Sequence, residues 1–402
     1  MFEQKRFKEA QNGIMEVLAT EPENIQCLIL LVEIKIEKDE FDEALKIVDN
    51  AIGIQPDYDV LYYIKSRVLV NLEKTNEALS CINEAIRLDP YDADNHAFLG
   101  FIYNQKKQFE DALASANEAL SIDGAHVFAL NVRSTALLKL NRKNESFETI
   151  EGALYENPNN AFTHANYGWG LLEKGNSDKA LMHFRESLKN DPNFEYAQSG
   201  MAEALKSKYL IYKWFLKYSF WISNQTSKNQ WVFIIVFYFG TKFLRSLANS
   251  NTALSPFLMP IIVLLTLFAF STWVITPLVN LLFRLNKYGK HLLTKQEIKS
   301  SNSVGVSVIV LIIGLLTMFF DDTIGASIAI FGFTMMLPLS NQFQKPRFFF
   351  FGYTLLMMVL GFGAVFLVVK DGELFNGISM LYLVSFIAYQ WIANYFIINR
   401  NY

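Results

Sequence analysis

The sequence predicts an all-α protein in two parts: helix pairs over residues 1–205 and a bundle of apolar helices over 230–402, joined by an amphipathic linker helix at 206–229. Three observations carry this reading. Prolines recur at a fixed interval through the first half, the charge balance reverses near Leu205, and six long apolar segments follow the reversal.

The prolines stand at Pro22, Pro56, Pro90, Pro158 and Pro192, all separated by multiples of 34 residues, and Gly124 fills the missing place. Small residues keep the same register at Ala10, Ala44, Ala78, Ala112, Ser146 and Ala180, and again at Val17, Ala51, Ala85, Ala119, Ala153 and Ser187. Between them runs an apolar column, Ile14, Val48, Ile82, Ala116, Ile150 and Phe184. Small residues seven apart, with apolar ones at offsets of three and four, make a narrow stripe where a second helix can approach closely. Each period therefore holds two helices, the second often stopped at Asp-Pro or Asn-Pro because proline cannot extend a helix.

These columns resemble the tetratricopeptide repeat (TPR) family, whose consensus has the same period and terminal proline. The resemblance covers residues 1–205 as about six repeats, the first a half-repeat, and implies a right-handed solenoid of helical hairpins. It departs from the consensus in the first helices, where the glycine column reads Val32, Ser66, Gly100, Ser134, Gly168 and Ala202. In register, MFEQKRFKEA belongs to a second helix whose first helix would precede Met1. The alternatives are a half-repeat cap, with Glu3, Gln4, Lys5, Lys8 and Glu9 on its free face, or a start further upstream.

The family's concave wall is lined mainly by first helices, so the resemblance places a partner-binding groove at Tyr63, Arg67, Phe101, Asn104, Asn131, Lys139 and Trp169, with Glu33 and Phe162 beside them. Aromatics, amides and a few cations suit an extended peptide or a partner helix, although any of them can instead pack between repeats. The Lys/Asn clamp by which some family members grip a carboxyl-terminal peptide is missing; the corresponding pairs read Ile29/Glu33, Tyr63/Arg67, Ala97/Phe101, Asn131/Thr135 and Ala165/Trp169. His96 and His164 sit in one column two repeats apart, where helix packing is favoured over a metal pair.

Through Leu205 the chain carries 20 Lys/Arg against 34 Asp/Glu, whereas Lys206–Tyr402 carries 16 against 5, so the overall charge of -3 describes neither half. This is the composition of an acidic soluble array joined to a membrane domain, and it argues against nucleic acid as a partner. Cys27 and Cys81 are isolated, which fits a reducing compartment, and the first twenty residues lack the apolar core of a signal peptide.

In the linker KSKYLIYKWFLKYSFWIS, Lys206, Lys213 and Lys217 form one stripe among aromatic residues. Lys213, Trp214, Lys217 and Trp221 are the expected membrane-interface residues, since such rings favour the headgroup level and lysines meet anionic lipid. The apolar segments lie at 230–248, 257–283, 304–320, 323–340, 348–369 and 375–398. Five are long and uncharged enough to span; the first does so only if Lys242 and Arg245 snorkel to an interface.

Five Lys/Arg in Arg284–Lys299 and two at Lys345 and Arg347 place those connections, the array and the carboxyl terminus in the cytoplasm. Asp321–Asp322 should make a tight outer hairpin. Pro277 and Asn280 suggest a kink, and Gly361 and Gly363 a close helix contact. No phosphate loop, HExxH or GxSxG occurs, and the spans hold no His and no acid away from their ends, so neither a catalytic residue nor a cofactor is assigned.

The whole chain also resembles bacterial membrane proteins in which such an array leads through an aromatic, basic linker into several spans. The expectation is a multi-pass protein of the bacterial inner (plasma) membrane, a scaffold whose groove takes a protein or peptide. A transporter or membrane enzyme regulated by its array is the alternative.

Overall fold

A computed structural model describes residues 7–251, 253–284 and 289–399. The readings made on Glu3, Gln4, Lys5 and the carboxyl terminus, and part of the Arg284–Lys299 connection, lie outside the described residues. Among the described residues the regular structure is helical throughout, and the chain divides into two compact units, residues 1–170 and 171–401.

The first unit contains α1 (Phe7–Thr20), α2 (Ile25–Glu37), α3 (Phe41–Ile54), α4 (Asp59–Asn71), α5 (Thr75–Leu88), α6 (Ala93–Gln105), α7 (Phe109–Ile122), α8 (Val127–Lys139) and α9 (Lys143–Glu156), and ends within α10 (Ala161–Glu173). First helices begin at 25, 59, 93, 127 and 161, and second helices at 7, 41, 75, 109 and 143, so the sequence period is also the structural one. The small and apolar columns are buried from Ala44 and Val48 onward, which is why they tolerate only residues that let the helices approach. Serines in the glycine column are satisfied by the facing helix. Ser66 Oγ donates to the Ala78 carbonyl at 2.8 Å, and Ser134 Oγ to that of Ser146 at 2.9 Å.

The turn inside each repeat follows a backbone rule that composition conceals. Asp39, Glu73, Lys107, Asn141 and Gly175 all adopt positive φ, between 58° and 88°. The next residue's N–H then reaches back to the first helix: Glu40 to Lys35, Lys74 to Leu69, Gln108 to Tyr103, Arg142 to Leu137 and Asn176 to Leu171, at 2.8–2.9 Å. This is a Schellman stop with a left-handed residue, a conformation in which Cβ crowds the backbone. Glycine occupies it only once. Gly175→Ala should therefore lower stability by about 1 kcal/mol, and Lys107→Gly should raise it by up to about 1 kcal/mol. Urea midpoints of the full chain test both; equal midpoints for Gly175→Ala and its parent would show that the turn needs no glycine.

The second unit holds the end of α10, then α11 (Ser177–Asn190), α12 (Glu195–Lys206), α13 (Leu210–Ser223), α14 (Ser227–Ser250), α15 (Ser255–Phe283), the short α16 (Gly289–Leu292), α17 (Lys295–Thr317), α18 (Asp322–Asn341), α19 (Arg347–Asp371) and α20 (Gly377–Asn399). Six of these, α14, α15 and α17–α20, are long and apolar enough to cross a membrane by length and composition. α18 is the central one, with Phe331, Met335, Met336 and Leu339 packed among Val274, Val304, Met357 and Tyr382.

The hairpin of α17 and α18 turns at Asp321, whose carboxylate caps α18 by accepting from the N–H groups of Thr323 and Ile324 at 3.0 and 2.9 Å. Its two helices touch backbone to backbone. A Cβ on Gly314, Gly325 or Gly332 would stand 2.3–2.4 Å from the backbone nitrogen of Ala329, Met318 or Leu311. Of the two glycines singled out in α19, Gly361 makes room for the Phe331 ring, which a Cβ would meet at 2.2 Å. Gly363 meets Ile378 at an ordinary 3.5 Å. Pro260 and Pro277 both lie inside α15, and Asn280 is buried one turn before its end.

Candidate functional site

The first helices of the amino-terminal unit carry a ladder of rings. Tyr63 meets Phe98 edge-on at 5.4 Å between centroids, Phe98 stacks on Phe101 at 5.6 Å, and Phe128 continues the series to Phe101 at 5.9 Å and to Phe162 at 6.2 Å. Rings in successive repeats thus support one another at distances where aromatic pairs attract. Burial pushes the Tyr63 phenol up to about 12, so it remains a neutral hydrogen-bond donor at physiological pH.

The polar members of the wall are engaged in holding repeats together. Arg67 donates twice to Glu33, at 2.6 and 3.2 Å, and its guanidinium lies 5.6 Å from the Tyr63 ring centroid. Residues one period apart are thereby clamped by a planar, bidentate pair. Asn104 Nδ2 donates to the Val132 carbonyl at 3.0 Å. Asn131, expected on the wall, is instead held inside it: its Nδ2 donates to the Val127 carbonyl and to Thr163 Oγ1, both at 2.8 Å, while its Oδ1 accepts from Asn166 at 3.0 Å. Tyr63, Arg67, Phe101, Asn104, Lys139 and Trp169 are half-buried and retain some accessible surface.

Equivalent positions explain the histidines. His96 and His164 pair through Nε2 with the carbonyls of Pro90 and Pro158, each at 2.9 Å, and Gln198 does the same to Pro192 at 2.8 Å. His126 caps α8, where its Nδ1 accepts the Ala129 N–H, and its Nε2 lies 3.1 Å from Asp94. That contact holds the Asp94 carboxyl below the usual range and raises His126. Among the described residues no group of three His, Cys, Asp or Glu side chains is placed to hold a metal ion.

A second candidate surface lies on α13. Trp214, Lys217 and Trp221 are exposed together with Leu210 and Ile211, Lys213 is half-buried, and Tyr212 and Leu216 turn inward. Tyr218 packs on α15, meeting Phe268 at 5.2 Å, and the exposed Trp221 rests one edge of its ring against Phe233 of α14 at 5.3 Å.

Lys206 does not share the stripe of Lys213 and Lys217. It closes α12, a turn at Ser207–Tyr209 separates it from α13, and its side chain is fully buried. The reason is a cluster: Lys206 Nζ donates to Glu203 Oε1 at 2.9 Å, and the Tyr212 hydroxyl donates to Glu203 Oε2 at 2.7 Å. Burial, then the Glu203 charge, raises the Tyr212 phenol. The signal in the sequence is Glu203 one turn before Lys206; what it lacks is any sign of the elements that close over the pair.

Sequence comparison agrees with this geometry. Family models described as tetratricopeptide repeat match residues 1–68, 60–92 and 93–126. Residues 1–126 of the array carry tetratricopeptide repeats.

No curated protein matches the chain. Among solved structures, it is similar to TTC0263, a thermophilic TPR protein of Thermus thermophilus, with 18% identity over 45% of this chain and 98% of that one and a TM-score of 0.43. It is similar to YrrB, a TPR protein described as having an unusual peptide-binding site, with 20% identity over 46% and 95% and a TM-score of 0.32. The corresponding values for the Cut9–Hcn1 hetero-tetramer of APC/C are 19%, 50% and 40%, with a TM-score of 0.44.

Proposed function

We propose that the protein is a membrane-anchored scaffold whose TPR wall holds an extended segment of a partner protein. TPR arrays are protein-interaction modules, and the carrying observation is the ring ladder with half-buried Tyr63, Phe101, Lys139 and Trp169 beside it. Such a wall offers apolar and hydrogen-bonding contact along several repeats while its own folding contacts remain intact. The test is crosslinking in cells from a photoreactive residue at Phe101 or Trp169, read by mass spectrometry. One partner should be enriched, and combining Tyr63→Ala with Lys139→Glu should reduce its capture about tenfold, the equivalent of about 1.4 kcal/mol. Enrichment of no protein over that variant would sink the reading.

The six apolar helices supply the anchor, with the aromatic and basic face of α13 at the bilayer surface. Contacts at the end of α12 support a sidedness. Ala202 packs with Phe283, at the end of α15, and with Leu293, just before α17. This packing supports a topology in which the last repeat and the α15–α17 connection share one side of the bilayer, with an even number of crossings between them. α15, at 29 residues, is about 43 Å long and exceeds a hydrocarbon core of about 30 Å. The second crossing falls to α14, with Lys242 and Arg245 snorkelling toward the far headgroups.

The five Lys/Arg of the Arg284–Lys299 connection support the cytoplasm of a bacterial inner membrane as the shared side. An Asn251→Cys thiol should react with a membrane-impermeant maleimide on intact cells, and a Gln296→Cys thiol only after permeabilisation. Reaction of both from the same side would refute two crossings.

A further inference from the structure

We infer that Lys206 is a pin that fixes the register of the last repeat helix on the apolar bundle, through a buried ammonium met by groups on α12, α13, α15 and α17. Besides its bond to Glu203, the ammonium lies 3.7 Å from Glu297 Oε1 on α17. It stands 5.8 Å from the Phe283 ring centroid on α15 and 6.0 Å from that of Tyr212 on α13. The other oxygen of Glu297 accepts from the Thr294 N–H and Oγ1 at 2.8 and 2.9 Å, in the capping box that starts α17. Both carboxylates facing Lys206 are therefore themselves oriented, Glu203 by Tyr212 and Glu297 by Thr294.

Apolar contact alone would not set this register. Ala202, Phe283 and Leu293 are buried together, with Leu205, Leu292 and Ile298 around them, and such surfaces attract without direction. A buried ammonium is different, because it is tolerated only where opposite charges meet it; Glu203 comes from its own helix, but Glu297 comes from α17 and the Tyr212 hydroxyl that orients Glu203 comes from α13. Sliding α12 by one turn would carry Glu203 along with Lys206 but take the ammonium away from Glu297 and Glu203 away from the Tyr212 hydroxyl. The seat therefore has one register, and displacement at the end of the array is carried to the end of α15 and the start of α17. This inference does not depend on what the array binds.

The test uses the full chain in lipid nanodiscs with Leu293→Cys, a position buried beneath α12, and follows maleimide labelling over time. Native Cys27 and Cys81, in the amino-terminal unit, report on the integrity of the array in the same sample. Lys206→Met should speed labelling at position 293 about tenfold or more and leave Cys27 and Cys81 unchanged. Adding Glu297→Gln should restore much of the protection by removing a carboxylate left without its cation. Glu297→Gln alone, a milder change, should speed labelling severalfold even if Lys206→Met fails to fold. The pin is overturned if Glu297→Gln labels like the parent, if Lys206→Met folds and labels like the parent, or if the double variant labels as fast as Lys206→Met.

Discussion

Gly332→Ala should pull α17 away from α18 and destabilise the membrane-type bundle by about 3 kcal/mol or more. A single Cβ there would lie 2.4 Å from the Leu311 nitrogen, 2.8 Å from its Cα and 3.0 Å from the Ser307 carbonyl oxygen. Overpacking typically costs about 1–3 kcal/mol when side chains can adjust, but these neighbours are backbone and have no alternative rotamer. Relief requires moving a helix, and with it the 2.7 Å bond from Ser307 Oγ to the Gly332 carbonyl. Gly352→Ala is the matched control, since nothing lies within 4 Å of the Cβ it would add. Thermal unfolding in detergent, followed by tryptophan fluorescence, should show a lower midpoint for the first and an equal or higher one for the second. Indistinguishable midpoints would mean that the close approach contributes nothing.

Phe184→Ala should be comparably severe, at about 3–5 kcal/mol, the range for emptying a buried aromatic site. Phe184 is fully buried against Gly200, on which a Cβ would stand 2.2 Å from the ring. The two positions are one packing unit and should be coupled. Gly200→Ala should cost about 1–3 kcal/mol in the parent and much less beside Phe184→Ala, where the new methyl enters vacated space. Denaturant unfolding of the four combinations measures the difference. Equal penalties in both backgrounds would show that the ring can shift away and that the pair is not a unit.

The repeat was legible because its constraint is local and periodic. A helix pair can close only if Ala44, Ala78, Ala112 and their equivalents are small, and its second helix must stop before Pro56, Pro90 or Pro158. The six apolar helices were legible for a similar reason, since length and hydropathy are properties of a continuous segment. The candidate wall was legible only in part. Register identified Tyr63, Phe101 and Asn104 as first-helix residues, but could not tell that Asn131 would be satisfied by Thr163 and Asn166 from the next repeat.

The left-handed turn residues were hidden by their side chains. Asp39, Glu73, Lys107 and Asn141 share no composition with Gly175, and only the backbone bond that ends each first helix makes them equivalent. The three hairpin glycines were equally silent, because a glycine in an apolar helix marks a close approach only once its neighbour is known.

The amino-acid sequence by itself determined the helical class, the repeat period, the contrast between acidic array and basic apolar half, and the extent of each apolar helix. Those depend on propensities and patterns within tens of residues. The tertiary structure alone decided that α17 and α18 meet at their backbones, that Phe184 fills the space left by Gly200, and that Lys206 leaves the aromatic stripe for a buried cluster with Glu203 and Glu297. In each case the deciding term is a contact between different helices, which no pattern within one segment specifies, and burial makes its energy depend on whether that contact is complete.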